Sequence, residues 1–160
     1  MTDPAAVAVE AASQPPAPQS PVLPDDVVDR LVRVIKVAFP HRAVPDGPYQ
    51  RTAEHIVSLV SGNAFQTAQL AQGLAGLDAV RGAPFAELAD ADAFAVLQGI
   101  EHTAFFTLVR STTVTFMYSD RELWAVVGYE GESSDQGGYV DRGFNDLDWL
   151  PEPRIEEYTA

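Results

Sequence analysis

ADAFAVLQGIEHTAFFTLVRSTTVTFMY, from Ala91 to Tyr118, is the stretch whose reading decides the fold. Phe94, Leu97, Ile100, Ala104, Leu108 and Val109 recur at helical spacing on one face, with Phe105, Thr112 and Phe116 beside it. The β-branched run Thr112-Thr113-Val114-Thr115 has the composition of a strand. The apolar spacing nevertheless continues through it, which predicts one helix from Ala91 to about Tyr118. Gly99 weakens that helix by about 1 kcal/mol relative to alanine. With this segment helical, the expected fold class is all-α, a small helical bundle.

The flanking stretches repeat the pattern. A first helix is expected to start at Asp25 or Asp26, whose carboxylates suit the positive end of a helix. Val27, Val28, Leu31, Ile35 and Ala38 form its inner stripe, and Pro40 ends it by disfavouring helical dihedrals at Phe39. His41 to Pro48 reads as a loop, with Pro45-Asp46-Gly47 and Pro48 as turn signals. A second helix is predicted from about Tyr49 to Val60, with Ile56, Val57 and Val60 inward, and Ser61-Gly62-Asn63 breaks it. A third covers roughly Ala64 to Val80, with Phe65, Ala68, Leu70, Ala71, Leu74 and Leu77 facing the core. Gly82 and Pro84 stop it, and Phe85, Leu88 and Asp90 make a short turn with an N-cap. Beyond Tyr118, Asp120 caps a last short helix from Arg121 to Val127, with Leu123, Trp124 and Val127 expected to be buried and Gly128 at its end.

Both ends of the chain differ from this helical domain of residues 25–128. Residues 1–24 are rich in Pro and Ala, and Pro15, Pro16, Pro18, Pro21 and Pro24 block helix and ladder hydrogen bonds. A disordered leader is expected there. Residues 129–160 are acidic and rich in Gly and aromatic residues, which predicts an extended C-terminal arm of coil and turns. Its large rings need a surface to lie on, either this domain or another protein.

Composition narrows the function. Net charge is −13, from 10 basic and 23 acidic side chains, and Lys36 is the single lysine of the 160 residues. Nucleic-acid binding needs a basic patch that neutralises phosphates, and none is present. Anionic membrane surfaces are disfavoured for the same reason, and no apolar run approaches the roughly 20 residues of a membrane span. There is no cysteine, so thiolate chemistry and cysteine-based metal sites are excluded. The N-terminus has no basic n-region, long apolar h-region or Arg-Arg pair. The expectation is a cytoplasmic protein, reaching the periplasm only with a partner that carries an export signal.

Few residues offer chemistry. Glu54-His55 and Glu101-His102 are two carboxylate–histidine pairs on predicted helices, and a self-contained metal-binding protein or enzyme using these four is the alternative reading. Di-metal helix bundles use Glu-x-x-His, which puts both ligands on one face. Adjacent residues point about 100° apart instead. Asp135, Asp141, Asp146 and Asp148 lack the order of a calcium loop. No Gly-x-Ser-x-Gly elbow or phosphate-binding loop is present. No catalytic, cofactor-binding or metal residue is therefore assigned. Aromatic anchors are the remaining signal. Phe106 must point away from the stripe that Phe105 occupies. Together with Tyr118, Trp124, Tyr129, Tyr139, Phe144 and Trp149 it makes the candidate partner-binding set.

The order of these features resembles the gluconate 2-dehydrogenase subunit 3 family. The resemblance is carried by Phe39-Pro40-His41, Pro45-Asp46, Phe105-Phe106-x-x-x-Arg110, Tyr118-Ser119-Asp120 and Trp124. It continues through Gly128-Tyr129-x-Gly131, Gly137-Gly138-Tyr139 and Trp149-Leu150-Pro151, and so covers about residues 25–153. It implies a small helical subunit that binds a large oxidoreductase of the glucose–methanol–choline type. That partner would hold FAD and oxidise a sugar, sugar acid or polyol. The small subunit would support its folding or maturation, binding no cofactor and supplying no reacting group. Many members begin with a twin-arginine signal, whereas this chain has its Pro/Ala-rich leader there.

Overall fold

The computed structural model describes residues 22–138 and 140, and among these it is all-α. Six helices follow one another: α1 (Val27–Ala38), α2 (Asp46–Val60), α3 (Ala64–Arg81), α4 (Asp90–Gly99), α5 (Ala104–Phe116) and α6 (Arg121–Val127). Three single 3-10 turns lie at Phe85–Glu87, Met117–Ser119 and Ser134–Gln136. Residues 1–21 of the expected leader lie outside the described residues, as do Tyr139, Phe144 and Trp149 of the arm.

The core forms where α1 and α2 pack together and α5 closes over α1, α2 and α3. Leu31, Val34 and Ile35 of α1 are fully buried with Ala53, Ile56 and Val60 of α2 and Val109 of α5. Leu70, Leu74 and Leu77 of α3 complete the cluster. Leu31 and Ile35 of α1 and Ile56 and Val60 of α2 are inward as their spacing predicts. Val28, Ala38 and Val57 are half-buried at the edge.

Four local expectations are corrected. First, α2 starts at Asp46 and takes in Gly47 and Pro48, which read as loop. The first backbone N–H groups of a helix have no partner within it, so a proline in the first turn removes nothing. Second, the single helix from Ala91 to Tyr118 is two helices. α4 stops at Gly99, and Thr103 starts α5 by accepting a hydrogen bond from the Phe106 N–H at 3.2 Å while its hydroxyl donates to the Ile100 carbonyl at 2.7 Å. The interruption resets the helical phase. Phe94 is consequently 46% exposed, and Ala93, Val96 and Leu97 carry the inner face of α4. Third, Phe65 is 75% exposed. The buried stripe of α3 is Thr67, Leu70, Leu74 and Leu77, and Phe65 lies about 140° around the helix from Leu70. Fourth, Val127 is 63% exposed, while Leu123 is buried and Trp124 half-buried. The β-branched run at residues 112–115 is helical, as the continuing apolar spacing predicts, with Thr112 and Thr113 buried.

Asp26 stands at the N-cap of α1 but makes no side-chain capping bond, whereas α3 is capped at both ends. The Asn63 side chain accepts from the N–H groups of Phe65 and Gln66 and starts α3, and Gly82 closes it in the left-handed region at φ 67°. Two ion pairs fasten α1 to the segments across from it. Arg30 pairs with Asp78 and also donates to the Leu74 carbonyl. Arg33 donates to Asp90 at 2.7 Å and to the Leu88 carbonyl at 2.6 Å.

One contact sets the distance between α3 and α5. The Phe105 ring lies against the backbone of Gly73, so a Cβ there would fall 2.2 Å from ring carbons. Gly76, one turn on, faces open space. Alanine at the two positions should therefore act with opposite sign. Gly76→Ala gains helix propensity and should stabilise the fold by about 0.5–1 kcal/mol. Gly73→Ala gains the same propensity but must displace Phe105, and should destabilise by about 1–3 kcal/mol. Urea unfolding of the two variants checks both signs.

Candidate functional site

The distinctive chemistry of the chain collects at one end of the bundle. There the turn after α1, the first turns of α2, the 3-10 turn at Met117–Ser119, α6 and the following loop meet. Tyr49, 2% exposed, organises the first of these. Its hydroxyl donates to the Phe39 carbonyl at 2.8 Å and accepts from the His41 N–H at 3.2 Å. These two backbone groups also bond to each other, His41 N–H to the Phe39 carbonyl at 2.9 Å, so the hydroxyl clamps the bend where Pro40 interrupts α1. Lys36 lies over the Tyr49 ring, 5.7 Å from its centroid, and pairs with Asp46 at the start of α2 at 2.7 Å.

Tyr118 sits on this turn. Its ring meets Phe39 and His41 edge-on, with centroids 6.3 and 5.6 Å apart, and a 2.6 Å hydrogen bond joins its hydroxyl to His41 Nε2. Burial, and secondarily the neighbouring Tyr49, push the Tyr118 hydroxyl above its ordinary pKa, so it stays a neutral phenol at physiological pH. The Tyr118 carbonyl accepts from Trp124 Nε1 at 2.6 Å. Trp124 in turn meets Tyr129 edge-on at 5.0 Å. Gly128, in the left-handed region at φ 76°, ends α6, and the Tyr129 N–H returns to the Trp124 carbonyl at 2.9 Å. The loop then folds back over the tryptophan. Gly131 has φ 92°, and a Cβ there would lie 3.3 Å from the Trp124 ring.

Arg51 of α2 holds α6 in place. Its Nε and Nη2 donate to the two oxygens of Asp120 at 2.8 and 3.0 Å, and Nη2 also donates to Glu122 at 2.7 Å. Asp120 does two jobs, since its Oδ1 also accepts from the Glu122 N–H as the cap of α6. Gly47 makes room for this fork, because a Cβ there would stand 2.8 Å from the Glu122 carboxylate. The Arg51 guanidinium and the cap hold the Asp120 carboxyl below its ordinary value of 3.8, against the opposing effect of burial.

Beside α6 and the loop at 129–136 lies an open groove of about 770 Å³. Trp124, Ala125, Tyr129 and Gly131 line it, with Arg121, Glu132 and Asp135 among its charged residues. Tyr118 and Tyr129 are 40% and 47% exposed, so their rings are held from one side and open on the other.

Of the partner-binding candidates, Tyr118, Trp124 and Tyr129 therefore come together. Phe106 does not join them. It is half-buried against the core in the first turn of α5, roughly 15 Å along the helix axis from Phe116. Tyr139, Phe144 and Trp149 lie outside the described residues. Sequence reasoning assigned no site role to Phe39, His41, Tyr49, Arg51 or Glu122. The one signal available was the Phe-Pro-His interruption of α1. Among the described residues no group of three or more His, Cys, Asp or Glu side chains could hold a metal ion. His55 stacks on Phe116 with centroids 4.0 Å apart, and Glu54 accepts from Gln50 at 3.2 Å. Glu101 and His102 are exposed in the turn between α4 and α5. Among the described residues no helix is long and apolar enough to cross a membrane.

No family model, curated protein or solved structure matches this chain.

The dual role of Asp120 gives a test of the latch. A carboxylate whose folded pKa is depressed stabilises the fold above its ordinary value, and that stability is lost as the pH falls through the folded value. Asp120→Asn keeps a capping oxygen and loses the charge, whereas Asp120→Ala loses both. Asp120→Ala should cost about 1–2 kcal/mol at neutral pH and Asp120→Asn less. The gap between wild type and Asp120→Asn should narrow as the pH falls below the ordinary value of 3.8 and through the lower folded value. Urea midpoints measured across that range give the comparison.

Proposed function

We propose that this chain is a non-catalytic accessory subunit. It binds an FAD-dependent sugar, sugar-acid or polyol dehydrogenase of the glucose–methanol–choline type and supports its folding or maturation. The FAD belongs to the partner, and this chain holds no cofactor.

One observation carries the reading. The residues that give the chain its resemblance to the gluconate 2-dehydrogenase subunit 3 family are spread over more than 90 positions, yet Phe39, His41, Tyr118, Asp120, Trp124, Tyr129 and Gly131 converge on one end of the bundle. They are locked to one another on the inner side, while Tyr118 and Tyr129 stay open on the outer side. Rings fixed in place lose little freedom on binding and make efficient anchors. The arm that follows carries Tyr139, Phe144 and Trp149, which would extend the same surface. A net charge of −13 suits a soluble subunit that steers toward a basic face of its partner.

Expression of the tagged chain in its native host, followed by affinity recovery, tests the reading. A co-purifying large subunit with flavin absorbance and polyol- or sugar-oxidising activity is the expected result. The chain alone should show neither flavin nor turnover. Tyr129→Ala, Tyr139→Ala and Trp149→Ala should each reduce recovery of the complex by about tenfold or more, equivalent to ~1.4 kcal/mol, with far-ultraviolet circular dichroism unchanged. Recovery without any flavoprotein would remove the reading, and equal loss of helical signal would make these residues core.

A further inference from the structure

The groove beside α6 has a chemistry more specific than an aromatic patch. Trp124 forms its floor, pinned by its Nε1 bond to the Tyr118 carbonyl and by Gly131 packed on its ring. Tyr129 forms a wall, with its ring 82° to the indole. An upright pair of this kind offers an electron-rich ring face, the preferred seat of a cation. The charged residues of the lining are three carboxylates, Glu130, Glu132 and Asp135, against the single guanidinium of Arg121. Glu132 and Asp135 are exposed, and neither makes an ion pair with a described residue. The volume, about 770 Å³, accommodates several side chains of a peptide rather than a single ion.

We infer that this groove receives an arginine-bearing segment of the partner protein, a guanidinium lying on the Trp124 and Tyr129 rings between the carboxylates of Glu132 and Asp135. The inference rests on the accessory-subunit reading for the existence of a partner, and gives that partner's docking segment its chemistry. Arginine fits better than lysine because its planar, weakly hydrated head both stacks on a ring and donates to two carboxylates at once. The position of the groove agrees with this role. Tyr129 lines it, and Trp124 is bonded to the Tyr118 carbonyl, so a bound segment would lie next to the rest of the aromatic surface.

Tetra-arginine peptide serves as the probe on the full-length chain, with tetra-citrulline, of the same shape but uncharged, as its control. Trp149→Phe leaves Trp124 as the only tryptophan of the two, so its fluorescence reports the groove directly. Backbone amide shifts locate the contact. Tetra-arginine should perturb Trp124 fluorescence and the amides of residues 121–136, saturably and less at high salt, and tetra-citrulline should not. Glu132→Gln with Asp135→Asn should weaken binding by roughly five- to tenfold, the size of two exposed ion pairs. Tyr129→Ala should weaken it about threefold, Arg121→Glu should strengthen it, and Glu101→Gln, before α5 at the end opposite the Met117–Ser119 turn, should leave it unchanged.

Equal binding of the two peptides, or shifts scattered over the acidic surface, would overturn the inference. So would a gain of about tenfold or more in affinity on Arg142→Gln with Arg154→Gln, since the groove would then belong to the chain's own arginines. None of these measurements uses the flavoprotein. Recovery of that partner undiminished by Glu132→Gln with Asp135→Asn would sink the groove while leaving the accessory-subunit reading standing, and tight arginine binding without any flavoprotein in the host would do the reverse.

Discussion

A helix of seven residues does not hold itself together in water, because the cost of nucleating it is spread over too few bonds. α6 is such a helix, and it presents Trp124. What keeps it folded is the Arg51 fork, which ties the cap of α6 to the side of α2. An exposed ion pair is ordinarily worth little. This one differs because the carboxylate it grips is already the helix cap, so one guanidinium orders the cap, the helix start and the distance to α2 together. Leu123, 2% exposed, is the apolar counterpart on the same short helix. Remove that tie and the Trp124 floor, the Tyr129 wall and the carbonyl of Tyr118 lose their common reference.

The bundle beneath is built on a tighter rule. Gly73 lets Phe105 lie on the backbone of α3. That approach brings α5 down onto the α1–α2 pair and places the 3-10 turn at Met117–Ser119, where Met117 is fully buried, beside the turn that follows α1. Tyr118 meets His41 because these two packing distances agree. The aromatic face is therefore a product of the core as much as of its own residues, although Phe105 touches none of the rings that line it.

Much of this was legible in the sequence. Apolar spacing identified α1 and α3 nearly to their ends, and Asp120 and Gly128 marked α6 correctly, because a cap residue and a left-handed glycine are local signals. Thr103 was missed because the stripe on either side of it looks continuous, and one hydroxyl suffices to restart a helix in a new phase. Phe65 was misjudged because one large residue was added to a stripe whose true members stand three and four apart. The convergence of the site was not legible at all. Arg51 and Asp120 are 69 positions apart, and His41 and Tyr118 are 77 apart. Nothing local in either partner announces the other. The Phe39-Pro40-His41 interruption showed that α1 ends sharply, but not that a buried tyrosine would complete the ending.

That tyrosine has a wider consequence. The Phe39–His41 bend closes on its own 2.9 Å backbone bond, and the Tyr49 hydroxyl clamps both ends of that bond from a neighbouring helix. Arg42 and Ala43 are exposed in the next turn, which is closed by a 3.2 Å backbone bond from the Val44 N–H to the His41 carbonyl rather than by their side chains. Their identities are free to drift toward whatever lies opposite, which makes this corner a place where relatives of the protein could acquire new contact preferences without disturbing the scaffold.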